Sequence, residues 1–411
     1  MTGKQRQIFF VLFYFGMIAN LDKSLIGAAA PHIIAAYGFS AAQFSNITNL
    51  YYVSNIIMTL ISGFVVDRYG YKFFTTLCLV LLTLASSCFG VVGLLGVGLG
   101  GSAGVMLGLL GARMIVGVGQ TGYTNGCARV VVENFKPHQR TTVQSVVVAT
   151  AGLGSVVSYA LFAPLMEKTS WQVAYFVLAG LFLVALILFV VLVPTKHTPV
   201  TRKISVIEGW KNKNTLILGL ALFCGNMVSV VTLFWLPTYL PTIGVIQNHL
   251  KANPQLVNLI LVGYALAMGI AMVTSDAIVK RFFLGRQKQV AFVSGIIGAL
   301  ALYVMTKTTS LVLIVVLLYL STYMLMFVFA IVVLAPHFIV AQTKQSLIAP
   351  DMISSAYATI NIMAFVGAMV GNYVVARIAD KIGFAAGFGA LAVPFVLMSV
   401  CLFFLPRLAK K

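Results

Sequence analysis

Hydrophobic residues in this chain fall in long runs, each interrupted by only a few polar positions. Runs long enough to span a bilayer, about 20 residues, occupy residues 8–33, 43–66, 73–95, 102–132, 142–165 and 171–193. A second six occupy 214–240, 256–279, 288–306, 310–338, 352–376 and 383–405. The most polar connector between runs is 194–213, which carries Lys196, Arg202, Lys203, Lys211 and Lys213. The pattern predicts an all-α membrane protein with twelve transmembrane helices in two six-helix bundles, 1–193 and 214–411, joined by the 194–213 connector.

Composition agrees with that reading. The chain is 60% hydrophobic and 9% charged, against about 25% charged in soluble domains. Its formal charge of +19 invites a nucleic-acid reading, but the basic residues sit at the ends of apolar runs and not on a soluble polar face. Taking the loops alternately, 19 of the 27 lysines and arginines lie on the side that includes both termini. Five lie on the other side, and Lys23, Arg113 and Arg129 lie within runs. The positive-inside rule then puts both termini in the cytoplasm of a cell membrane and accounts for the basic charge without nucleic acid.

The five cysteines, Cys78, Cys88, Cys127, Cys224 and Cys401, are scattered through apolar runs without metal-ligand spacing, so they read as small apolar packers. The first run, flanked by Lys4 and Arg6, superficially resembles a signal peptide, but it is too long and carries Asp22 and Lys23 near its centre. Gly96, Gly98 and Gly101 fit GxGxxG, as do Gly117, Gly119 and Gly122, yet neither set follows a strand. Close helix packing explains them better than a dinucleotide, as it does for Gly104/Gly108 and Gly367/Gly371. No cofactor is implied. An enzyme or receptor would need a clustered catalytic constellation or a sizeable soluble domain, and the sequence holds neither.

The anomaly is Asn20-Leu21-Asp22-Lys23, two charges near the middle of the first run. A charge at that depth costs about 2.5 to 3.5 kcal/mol on insertion scales and marks a pathway or a partner. The other acids fall at span ends or in loops, leaving Asp22 as the deep carboxylate available for proton coupling. Burial favours its neutral form and a nearby cation its charged form, which would link proton and substrate occupancy. Asp22 and Lys23 are about 100° apart on a helix and serve different partners. Lys23 shares a face with Asn20 and Gly27. Arg113 and Gln120, seven residues apart, share a stripe with Gly117, whereas uniform helical arithmetic puts Arg129 on nearly the opposite side.

Residues 63–72 read GFVVDRYGYK, with Gly63, Asp67, Arg68, Gly70 and Lys72 in the loop between the second and third runs. In that place GxxxDRxGxK resembles the major facilitator superfamily. Its degenerate counterpart in the second half is SDAIVKR at 275–281, which keeps Asp276, and such a pair is the trace of an internal duplication. Residues 129–140, RVVVENFKPHQR, complete the resemblance; it implies that Arg129, Glu133 and Arg140 join Asp67 and Arg68 in an inner-gate charge cluster. The plain alternative is a solvated positive-inside turn.

A narrower resemblance lies within the spans. The stretch LDKS at 21–24, continuing to Pro31, His32 and Ile33, is close to the D-[RK]-x-x-[IL]-x-x-A-x-P pattern of the anion:cation symporter family. RMIVGVGQ at 113–120, SWQVAYF at 170–176 and FWLPTYL at 234–240 fit it too. The resemblance implies alternating access around a midplane site between the halves, a small organic anion such as a sugar acid as substrate, and a monomer that imports it with protons. It makes Lys23 an anion contact and Asn361 a substrate contact. One departure matters: proton-coupled members carry a glutamate seven residues after the arginine, where this chain has Gln120, which can hydrogen-bond but not titrate.

Other substrate-facing candidates are polar residues at depth: Asn49 and Tyr52 in the second span, Trp235 and Tyr239 in the seventh, and Tyr357 beside Asn361 in the eleventh. Each also fits ordinary interhelical hydrogen bonding. His32 fits a proton relay or an interfacial anchor. The runner-up function is a proton-coupled exporter of drugs or metabolites, which in this superfamily commonly carries GP..GG in the fifth span. GLGSVVS at 152–158 does not supply it.

Overall fold

The structure, a computed structural model, describes residues 1–195, 206–283, 285–335, 346–349 and 352–406. Lys196, Arg202 and Lys203 of the connector, Lys344 between the tenth and eleventh spans, and the C-terminal Arg407, Lys410 and Lys411 lie outside that set. The chain forms two compact units, Met1–Thr201 and Arg202–Lys411.

In the first unit, helix α1 is Gly3–Tyr37, started by a capping box in which Thr2 and Gln5 satisfy each other's backbone N–H groups. Next comes a 55-residue helical stretch, Ala41–Leu95, that departs from helical geometry at Gly70 (φ 82°, ψ 158°). Only glycine takes that conformation without strain, so the stretch reads as α2 (41–69) and α3 (71–95). After them come α4, Gly101–Asn134, then α5, which runs from Pro137 to Lys168 through a π turn at Ser158–Phe162, and α6, Trp171–Leu192.

The second unit begins with a short helix, α7 (Val206–Lys211). Its later helices are α8 (Lys213–Tyr239), α9 (Gly244–Leu250), α10 (Leu256–Phe282), α11 (Gln287–Met305), α12 (Leu311–Leu334), α13 (Ile353–Ile382) and α14 (Phe384–Phe404). Eleven helical stretches among the described residues are long and apolar enough to cross a membrane. Because the one over Ala41–Gly98 holds both α2 and α3, they account for twelve crossings.

Packing repeats between the units. In the first, α1 lies along α5, Asn55 of α2 donates to the Gly117 carbonyl of α4 (3.0 Å), and Gln172 of α6 donates to the Gly93 carbonyl of α3 (3.3 Å). These are first-to-fifth, second-to-fourth and third-to-sixth pairings. The second unit repeats them: Gly367 of α13 meets the Phe223 backbone of α8, Tyr319 of α12 donates to the Ile260 carbonyl of α10 (3.1 Å), and Gly295 of α11 meets Ser399 of α14. Duplicated topology therefore survives where the charged loop motif has degenerated.

Candidate functional site

α1 and α4 bring the buried charges together. Asp22 is fully buried and Arg113 is 2% exposed. Arg113 Nη1 donates to both Asp22 carboxylate oxygens, at 3.1 and 3.2 Å. Gln120, two turns further along α4, donates from Nε2 to the Ala19 carbonyl (3.0 Å) and to Asp22 Oδ2 (3.3 Å). The stripe that Arg113 and Gln120 share is thus the surface that receives Asp22. Arg113 also lies 5.5 Å over the Tyr51 ring, and Tyr52 and Tyr175 lie within its field. Arg113 Nε, Gln120 Oε1 and the Tyr175 hydroxyl are buried without a hydrogen-bond partner among the described residues.

Lys23 has a different environment. It is half-buried, its Nζ lies 5.4 Å over the Tyr123 ring, and it makes no ion pair among the described residues, although it lies in the field of Asp22. Beside it Asn20 is held in place by donating to the Gly16 carbonyl (2.8 Å), the Tyr123 hydroxyl (3.2 Å) and Thr150 Oγ1 (3.3 Å). Tyr123 in turn donates to the Val147 carbonyl (3.1 Å). Two cations and one carboxylate therefore occupy this part of the unit, with a net positive charge of one when all are ionised. Within a low-dielectric bundle an unpaired ammonium is a strong anion site.

α4 departs from regular geometry immediately beyond Gln120, with a π turn over Gly122–Gly126. A π turn inserts one residue into the helical count, so positions beyond it rotate by about 100° relative to Arg113. The uniform arithmetic that sets Arg129 opposite Arg113 misses this insertion. The π turn has no reliable signature in sequence, although three glycines around it relax packing against α2 and α3: Gly117 meets Tyr51, Gly119 meets Leu82, and Gly122 meets Cys78.

The other candidates are distributed as follows. Asn49 and Tyr52 are half-buried on α2, with Tyr52 edge-on to Tyr51 at 4.9 Å. His32 is exposed near the end of α1, in the field of Glu167. In the second unit Trp235 is fully buried and donates to Asn372 Oδ1 at 2.6 Å. Tyr239 stacks on Phe388 at 4.4 Å. Tyr357 donates to the Val333 carbonyl (3.1 Å), and Asn361 is exposed.

Among the gate candidates, Arg129 Nε donates to Glu133 at 2.9 Å and Arg140 folds back on the Phe135 carbonyl at 3.0 Å. Asp67 and Arg68 are exposed, with Arg68 over the adjacent Tyr69 ring, and Lys72 is half-buried. Gly63 is exposed and a side chain there would meet open space. Arg113–Asp22 and Arg129–Glu133 are ion pairs of the first unit, the second an i,i+4 pair on α4. Asp276 belongs to α10, and its side chain lies outside the described set. Sequence reasoning missed a hydrogen-bond chain behind these residues: Gln5 donates to the Asn134 carbonyl (3.0 Å), Asn134 to the Tyr71 hydroxyl (3.2 Å), and Tyr71 to the Pro194 carbonyl (2.6 Å).

Residues 12–337 match the family model described as Major Facilitator Superfamily. The chain belongs to the major facilitator superfamily. As a superfamily member it is a multi-pass membrane transporter. A hexuronate transporter of Bacillus subtilis is 27% identical over 242 residues, covering 56% of this chain and 55% of that protein. A probable sulfoacetate transporter of Cupriavidus necator is 25% identical over 249 residues, with the same shares. A putative multidrug resistance protein of Yersinia enterocolitica is 26% identical over 172 residues, 42% of this chain and 34% of that protein. The chain thus aligns with about half the length of the first two. Among solved folds it resembles a D-xylose-proton symporter, with a TM-score of 0.79 at 14% identity over 98% of this chain and 99% of that one. A bacterial homologue of the human lysosomal transporter Spinster gives 0.76 at 13% identity, over 98% and 97%.

Proposed function

We propose that this facilitator imports a small organic anion, a sugar acid or another carboxylate, together with protons, by alternating access. The observation that carries the reading is the second cation at the α1 site: Arg113 is ion-paired with Asp22, whereas Lys23 makes no ion pair among the described residues. Similarity to hexuronate and sulfoacetate transporters supports the substrate class. Lys23 contacts the anion, Gln120 and Arg113 complete the polar wall with Asn49 and Tyr52, and Trp235, Tyr239, Tyr357 and Asn361 serve from the second half.

Asp22 carries the proton, with His32 as an accessory on the outer side. A proton on Asp22 releases Arg113 from its ion pair, and an incoming carboxylate replaces the lost negative charge. Proton and anion therefore enter together without changing the net charge of the site, which avoids the cost of an uncompensated buried ion. Gating rests on Gly63, Asp67, Arg68, Gly70, Lys72, Arg129, Glu133 and Arg140, with Asp276 as their counterpart. The domains are the bundles 1–193 and 214–411 with the 194–213 connector between them in sequence; the protein works as a monomer in the cell membrane with both termini cytoplasmic.

The test is uptake of labelled organic acids into proteoliposomes under an imposed pH gradient. An inward proton gradient drives accumulation of at least one acid. Lys23→Ala and Arg113→Ala abolish uptake, and Asp22→Asn stops uphill accumulation while sparing exchange. Undiminished uphill uptake in Asp22→Asn would remove the proton role from that residue. The similarity to a putative multidrug resistance protein favours a second reading, proton-coupled export. In that case no acid responds to the inward gradient, and an outward-directed cargo does.

A further inference from the structure

An apolar groove of about 510 Å³ runs along the second unit between α10, α11 and α12. Phe283, Val290, Val293, Ile297 and Phe327 line it, and Arg286 stands at its mouth. Arg286 is exposed and makes no ion pair among the described residues. It is also the N-cap residue of α11, so the unpaired N–H groups of that helix's first turn share its end of the groove. The neighbouring Lys288 ammonium is already occupied by the Phe403 and Leu405 carbonyls, and Arg281 lies over the Phe282 ring. Among the described residues that line the groove, Arg286 is the basic one.

The dimensions favour one kind of occupant. From Arg286 to Ile297 is eleven residues of α11, about 16 Å at 1.5 Å per residue. One leaflet of a hydrocarbon core about 30 Å thick is about 15 Å deep. The groove therefore begins at the level of lipid headgroups and ends near the bilayer midplane, with its charge at the headgroup level and its apolar wall along the acyl-chain depth. We propose that it holds one anionic glycerophospholipid, with the phosphate on Arg286 and one acyl chain laid against Val290, Val293 and Ile297. Basic pockets between transmembrane helices recognise such headgroups by the same chemistry. The site is separate from the α1 charges and does not depend on which anion the protein carries.

Native mass spectrometry of the full-length protein, titrated with phosphatidylglycerol or phosphatidylcholine of matched chain length, tests this. The intact protein retains phosphatidylglycerol preferentially, and Arg286→Gln lowers that preference about fivefold, the worth of one basic residue at an anionic lipid surface. Val293→Trp, which fills the groove and leaves Arg286 in place, lowers retention of phosphatidylglycerol as well. Lys307→Gln, at the other end of α11, leaves it unchanged. Circular dichroism and gel-filtration profiles matching the parent protein establish that each variant is folded, and Arg286→Lys restores the preference if folding intrudes. Equal retention of the two lipids, or an unchanged preference in Arg286→Gln, overturns the proposal. Binding of glycerol phosphate as tight as that of the lipid, or insensitivity to Val293→Trp, would show a free-anion site and overturn it equally.

Discussion

Removing one member of the Asp22–Arg113 pair should be far more damaging than removing both. At 3.1 Å and an effective dielectric of about 20, the Coulomb attraction is about 5 kcal/mol. Breaking a buried pair by deleting one partner typically costs about 3 to 5 kcal/mol, because the survivor is left charged in a dry interior. Asp22→Asn leaves Arg113 with a neutral acceptor; Arg113→Gln leaves Asp22 with the amide of Gln120 and no ion-pair partner. In Asp22→Asn/Arg113→Gln neither charge remains, and two amides can hydrogen-bond to each other. The double variant should therefore lose less stability than either single variant, which requires a coupling of at least about 3 kcal/mol between the two sites. Reversible unfolding in mixed detergent, followed by fluorescence of the three tryptophans, measures all four proteins. Losses that add within about 0.5 kcal/mol would mean the two charges do not interact energetically, and the electroneutral exchange proposed for the site would lose its basis.

Gln120→Glu places a second carboxylate against Asp22 and cancels the positive excess of the site, so anion affinity measured by calorimetry on the purified protein should fall. Trp235→Phe removes the indole N–H that Asn372 Oδ1 accepts, and the same unfolding assay should register a loss of about 1 to 3 kcal/mol. A side chain at Gly154 would sit 2.6 Å from the Met17 carbonyl oxygen and 2.7 Å from the Leu21 nitrogen, so Gly154→Val should give little folded protein by gel filtration. Gly63→Ala meets open space, and in the unfolding assay it should be neutral or stabilising by up to about 1 kcal/mol, the helix gain of alanine over glycine.

The helices were legible from the sequence because lipid imposes a length requirement that few other constraints override. Runs ended by the Gly70 loop, by Pro137 and by Gly383 begin or stop within a few residues of the observed helices. The charged residues of the site were legible one at a time, and their pairing was not. A helical wheel describes one helix and cannot say that Arg113 on α4 meets Asp22 on α1. A usable signal existed in depth: counted from one membrane face, Asp22 lies fifteen residues inside the Tyr37 end of α1 and Arg113 twelve inside the Gly101 end of α4. At 1.5 Å per residue that is about 22 and about 18 Å, so the two charges share a level. The π turns of α4 and α5 stayed hidden because they arise from local repacking that the sequence does not encode in a fixed pattern. The second half was least legible. On paper Trp235 and Tyr239 fit an interhelical contact more readily than a substrate role, and in the folded unit they meet Asn372 and Phe388.

The contact at Gly154 bears on how such a transporter can be altered. There α5 touches the α1 backbone at Met17, Asn20 and Leu21, just before Asp22 and Lys23. Spacing between the two helices is consequently set by main chain against main chain, and no side chain of the charged site acts as the spacer. The polar residues proposed to contact the cargo can be exchanged individually while the scaffold that holds them keeps its register. A laboratory selection for a new substrate should accumulate changes at Gln120, Tyr52 and Lys23 and leave Gly154 untouched.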